Sequence, residues 1–108
     1  MKRIIVAHTQ SGFISTNLYD ELKLEDLQAI VDGYIERTTI AELEPYQISL
    51  IVNEEGLLRR LDPNENLYPF FFAGNVAFVD SSGEEFDGLD ELQESIVRKF
   101  LAGLEVIR

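Results

Sequence analysis

The chain reads as an α+β domain, a mainly antiparallel sheet packed against two helices. Two observations predict this. Short β-branched and apolar runs end in turn signals, as Lys2–Thr9 does before Gln10-Ser11-Gly12. Helical spacing of apolar residues occurs in only two places, at Leu24–Asp32 and at Glu91–Ala102. The 108 residues fit one domain spanning 1–108.

In order along the chain, Lys2–Thr9 is a strand and Phe13–Leu18 its hairpin partner. Leu24, Leu27, Ile30, Val31 and Tyr34 recur at helical spacing. Gly33 is expected to form the left-handed cap of that helix, since it has no Cβ to clash. Tyr34–Ile40 returns to an extended pattern, and Ala41–Pro45 is an acidic connector. Gln47–Val52 is a strand covered on both faces, because Ile51 opposes Ile48, Leu50 and Val52. Asn53-Glu54-Glu55-Gly56 has the composition of a type I turn.

Leu57–Asn66 fits either a helical turn or a hairpin return, and Pro63 stops both. Leu67–Gly74 is apolar and too broken for a long helix. Asn75–Asp80 is a strand, Ser81-Ser82-Gly83 a turn, and Glu84–Phe86 a short return strand. Asp90 and Gln93 have capping-box spacing. Leu92, Ile96, Phe100, Leu101 and Leu104 form the expected buried stripe of the last helix. Acids near its start and Arg98-Lys99 near its end suit the helix dipole.

Size permits a real core. Area scaling leaves roughly 6,000 Å² exposed of the roughly 18,000 Å² of the extended chain. Hydrophobic residues make up 45%, with 7 Phe and 4 Tyr to fill that core. No cysteine is present, which removes disulfides, thiolate nucleophiles and zinc–sulfur sites. The apolar run after Lys2-Arg3 is too short for a signal peptide, and no run is long enough to span a bilayer. Secretion is therefore not expected, and the lack of cysteine is compatible with a reducing cytoplasm.

Net charge is −11, from 20 acids and 9 bases. Asp20–Glu55 holds 10 acids and 2 bases; Asp80–Glu94 holds 7 acids and no base. Phosphate backbones need clustered Lys and Arg, so direct nucleic-acid binding is not expected. An anionic membrane would also repel this chain. A protein partner with a basic surface fits better.

Motifs for chemistry are sparse. His8 is the single histidine and has no metal-ligand spacing around it. Carboxylate pairs are too numerous to discriminate a glycosidase-like pair. Asp80–Glu91 has acids at several calcium-loop positions, but Glu85 stands where the loop needs Gly. Phosphate-binding glycine loops and nucleophile elbows are absent. No catalytic residue, metal ligand or cofactor is assigned. Tyr68 and Phe70–Phe72 read as core rather than as an exposed anchor.

Three blocks carry a resemblance: Gly33-Tyr34-Ile35-Glu36, Asn53-Glu54-Glu55-Gly56, and Leu61 with Pro63 and Asn64. Together they resemble the family called domain of unknown function three-eight-four-six, found mainly in phages, plasmids and other bacterial mobile elements. The resemblance runs from the first strand to the last helix. It implies an accessory protein of a mobile element in the bacterial cytoplasm, and it supplies no reaction.

The expected function is a non-enzymatic, acidic interaction protein that inhibits a host nucleic-acid-handling or defence enzyme as a DNA mimic does. A duplex carries one charge per ~1.7 Å of axis, which rows of Asp and Glu can imitate. The alternatives are a structural or regulatory accessory domain whose acidity confers only solubility, and a small carboxylate and metal enzyme. The partner-contacting candidates are Glu54, Glu55, Glu84, Glu85 and Asp87, with Asn53 and Asn64 from the resembling blocks.

Overall fold

Alternation along the first strand decides the layering. Ile4 and Val6 face one way, Ile5 and Ala7 the other, and all four are fully buried. A strand buried on both sides needs a cover on each. The computed structural model describes residues 1–107 and provides both covers.

Five strands form one sheet: β1 (Lys2–Ala7), β2 (Ile14–Tyr19), β3 (Ile35–Thr38), β4 (Ile48–Asn53) and β5 (Val76–Asp80). Their order is β2-β1-β5-β4-β3, and every neighbouring pair is antiparallel. Helix α1 (Leu24–Val31) covers one face, where Leu27 and Val31 pack on Ile4, Val6, Ile51, Ala77 and Val79. Helix α2 (Glu91–Ile107) covers the other, where Val97, Leu101 and Leu104 pack with Ile5, Leu50 and Phe78. The architecture is α+β, with the sheet as the middle layer. All six residues of β4 are buried, as its two-sided apolar pattern implies.

Several local expectations are corrected. Helix α1 ends at Val31, and its left-handed cap is Asp32, at φ 61 and ψ 50, rather than Gly33. Aspartate tolerates this conformation. The Arg59 guanidinium holds it there, donating to both the Asp32 carbonyl and its carboxylate. Gly33 is favoured for other reasons: its φ is 155, and a Cβ there would stand 2.7 Å from Asn53 Nδ2 and 2.9 Å from Arg59 Nη1.

Helix α2 is rotated from the expected stripe and runs on to Ile107. The capping box does form: Gln93 N–H donates to Asp90 Oδ1 at 2.7 Å, and Asp90 N–H donates to Gln93 Oε1 at 3.0 Å. Gln93 Nε2 also donates to the Tyr46 carbonyl and to Asp80 Oδ1. These bonds draw Gln93 inward, so Val97 is on the buried line and Leu92 is 65% exposed. Phe100 and Ile96 are only half-buried, and Phe100 lies 5.8 Å from the Phe70 ring.

Glu84–Phe86 is not a strand. Asp80 and Asp87 exchange a single pair of backbone hydrogen bonds, and the residues between them loop out. Leu57–Arg60 is a series of turns, followed by a short 3-10 segment at Glu65–Leu67. The aromatic tract divides: Phe70 and Phe72 pack against the α2-side core, while Tyr68 and Phe71 are exposed.

Candidate interaction surfaces

Strand directions place the two acidic turns at opposite ends of the sheet. β4 finishes at Asn53, beside the start of β5, whereas β5 finishes at Asp80, opposite Ile48. Glu54 and Glu55 therefore crown one end, and Glu84, Glu85 and Asp87 the other. Any partner meets two separate acidic regions.

The Glu54 end is built on buried asparagine side chains. Asn53 Nδ2 donates to the carbonyls of Val31 and Asp32, and its Oδ1 accepts from Glu55 N–H at 2.7 Å. Asn64 Nδ2 donates to the carbonyls of Ala7 and Gly74, and its Oδ1 accepts from Asn66 N–H. Asn66 in turn ties the β1–β2 hairpin, donating to His8, Gln10 and Phe13 carbonyls and accepting from Gly12 N–H. An amide offers donors and an acceptor on one flat group, so each can bind backbone from two segments. No described buried side-chain polar atom lacks a partner.

This arrangement corrects the assignment of Asn53 and Asn64 to a partner surface. They are 5% and 3% exposed, and their polar atoms are engaged by backbone. The blocks at Gly33–Glu36 and Asn53–Gly56 meet in space for the same structural reason, and Glu54 N–H donates to the Tyr34 carbonyl.

What remains exposed at this end includes apolar side chains, acids and the two bases Arg59 and Arg60. Leu58 is 84% exposed, Phe71 74% and Leu57 69%. They border a groove of about 500 Å³ whose floor includes Val52, Gly56 and Ala73. The charged residues on its lining are Glu36, Glu54 and Glu55. None of the three joins an ion pair among the described residues. Leu57, Leu58 and Glu36 were not legible as surface contributors. The available signal was two adjacent leucines between a turn and Pro63, too short a stretch to bury both.

The opposite end differs. A cleft of about 630 Å³ lies between the start of α1 and the 84–87 loop, lined by Glu21, Glu84, Glu85 and Asp87 but also by Lys2 and Lys23. Asp87 is paired with Lys2 at 3.0 Å. That bond, aided by Gly88 N–H, holds the Asp87 carboxyl below its usual range. Glu84 and Glu85 are exposed and enter no ion pair among the described residues.

His8 is half-buried. Its ring stacks on Phe13 at 4.0 Å, its Nε2 lies 2.8 Å from Ser15 Oγ, and burial lowers its pKa. Ser15 Oγ donates onward to Asn17 Oδ1. In the former calcium-loop candidate, Asp80 accepts from Ser82 and Gln93, which explains its orientation by turn and cap alone. Among the described residues no group of three or more His, Asp or Glu is placed to hold a metal. No helix among them is long and apolar enough to cross a membrane.

Fold and surfaces together define a small acidic α+β domain with an asparagine-clamped end that presents an apolar, acid-rimmed groove. The chain belongs to the family described as domain of unknown function (DUF3846), whose family model matches residues 1–101. No curated protein and no solved structure matches it.

Proposed function

We propose that this chain is a non-enzymatic interaction domain that binds a basic protein surface through the groove beside Leu57, Leu58 and Phe71. The observation that carries this reading is the combination in one groove of exposed large apolar side chains and carboxylates that join no ion pair among the described residues. Large apolar groups clustered on a surface mark interaction sites more often than chance exposure. Buried anchors supply affinity, while rim charges steer encounter and select the partner's sign.

The proposed setting is the cytoplasm of a bacterium carrying a phage or other mobile element. The proposed target is a nucleic-acid-handling or defence enzyme of that host. Such enzymes have basic grooves for phosphate, and a chain of net charge −11 is complementary to them. The Glu54–Glu55 end is the better candidate for contact because the charged lining of its groove is wholly acidic, with Arg59 and Arg60 outside that lining, whereas Lys2 and Lys23 line the cleft at the Glu84–Glu85 end.

The test is affinity capture from host lysate, identification of the bound protein, and repetition of binding with purified components. Leu58→Ser and Phe71→Ser should each reduce binding at least tenfold while the melting temperature stays within a few degrees. A basic partner that both variants bind as well as wild type would overturn the groove. Failure to capture any partner from hosts of several kinds would favour acidity as a solubility feature only.

A further inference from the structure

The two open edges of the sheet are protected unequally. β3 is four residues long and carries Glu36 and Arg37, both of which discourage pairing with another strand. β2 is six residues long, Ile-Ser-Thr-Asn-Leu-Tyr, and has no charge and no proline. Its hydrogen-bonding phase follows from the hairpin. His8 N–H donates to the Phe13 carbonyl, so bonded pairs fall at Val6–Ser15, Ile4–Asn17 and Lys2–Tyr19. The backbone groups of Ile14, Thr16 and Leu18 then point away from β1. Within the described residues, no backbone or side-chain hydrogen bond outside the strand pairing reaches them. Edges of this length are ordinarily blocked by charge, proline or a covering segment.

We infer that β2 pairs with β2 of a second copy, joining two five-stranded sheets into one antiparallel sheet. Self-complementarity identifies the occupant. A two-fold axis at Thr16 sets Ile14 opposite Leu18 of the second copy, Ser15 opposite Asn17, and Phe13 opposite Tyr19. Apolar meets apolar on the α2 side, and polar or aromatic groups meet their kind on the α1 side. Asp20, the first acid after the strand, falls opposite Gly12, so no acid faces an acid across the pairing. Arg98 borders the axis already bound to Glu94 and Thr16 Oγ1. Phe13 and Leu18 are about half-exposed in the single chain, at 50% and 49%, and gain cover in the pair. A chain of net charge −11 repels its own kind over most of its surface, and this uncharged edge is where two copies can approach. The contact is isologous, so it closes as a dimer rather than extending into a fibre.

Sedimentation velocity of the purified chain at high micromolar concentration tests this. The expected mass is twice 12.3 kDa, with dissociation on dilution and tighter association as salt screens the like charges. Thr16→Pro removes an outward N–H without touching the bonds to β1, and should give a monomer. Thr16→Ala keeps that N–H and should remain dimeric, which separates strand pairing from loss of the Arg98 contact. Leu18→Lys should weaken the dimer roughly tenfold or more by placing like charges in the paired edge. Circular dichroism confirms folding of each variant, and Leu18→Lys decides the matter if Thr16→Pro does not fold. A monomeric wild type, or a dimer that both Thr16→Pro and Leu18→Lys leave intact, would overturn the inference.

Discussion

The two ends of the sheet solve the problem of joining loops to strands differently. At the Asn53 end, neutral amides are buried and each binds backbone of more than one segment. At the Asp80 end, the links are charged and nearer solvent: Lys2 with Asp87, Arg3 and Arg98 with Glu94, and the Asp90–Gln93 capping box. Stability therefore rests more on the Asn53 end than on the charged links. Buried amides leave backbone groups stranded when lost, whereas exposed ion pairs return to water at little cost. The Asn53 end adds one exposed ion pair, Arg59 with Asp32, and Glu54 and Glu55 join none among the described residues.

The sharpest way to break this contrast is to remove one link from each end. Asn64→Ala strands the Ala7 and Gly74 carbonyls and should destabilise by about 3 kcal/mol. For a domain of this size that lowers the melting temperature by roughly 12–20 °C. Asp87→Asn should cost less than about 1 kcal/mol, because the pair it weakens is half-exposed. Equal effects in thermal melts would show that the two ends are held alike.

Next in size are the side chains of α2. Phe100→Ala should destabilise by roughly 1–2 kcal/mol, below the roughly 3–5 of a fully buried aromatic, since the ring is only partly buried. Leu92→Ala should stay within about 0.5 kcal/mol. A larger loss for Leu92 than for Phe100 in denaturant titrations would contradict the helix phase set by Gln93.

Smallest is the acid response of the charged end. The hydrogen bond from Arg3 holds the Glu94 carboxyl below its usual range, aided by Arg98 and opposed by partial burial. The folded state therefore binds the Glu94 proton less readily than the unfolded chain. Its contribution is present above the unfolded carboxylate value and is lost as pH falls through the lower folded value. Glu94→Gln should flatten the acid side of the melting-temperature profile and leave its shape near neutrality unchanged. An unaltered acid slope would show that Glu94 is not the group responsible.

Much of the fold was legible because it rests on periodicity. The strand pattern of Ile48–Val52 required cover on both faces, and the Asp90–Gln93 spacing announced a helix start that forms as expected. The rotation of α2 was not legible. Leu92–Ile96–Phe100 and Gln93–Val97–Leu101–Leu104 are both helical lines, and a buried glutamine decides between them only through distant partners, Tyr46 and Asp80. At the candidate site the acids were legible as exposed turn residues. Asn53 and Asn64 were misplaced because their partners, Val31 and Ala7, are distant in sequence, and a polar residue in a turn looks the same whether it faces water or backbone. Gly33 was rightly singled out as a constrained position, but it is not the helix cap: its φ of 155 and the nearby Asn53 and Arg59 side chains both favour glycine.

On the proposed function, the Glu54 end rather than the Glu84 end meets a basic partner. Association rates with the identified partner test it most directly, measured at low and physiological salt for wild type, Glu54→Gln/Glu55→Gln and Glu84→Gln/Glu85→Gln. All three should melt alike, since exposed substitutions usually change stability by no more than about 0.5 kcal/mol. Slower association is expected for the Glu54/Glu55 variant alone, with a wild-type rate that falls as salt rises. Salt-independent association, or slowing confined to the Glu84/Glu85 variant, would contradict it.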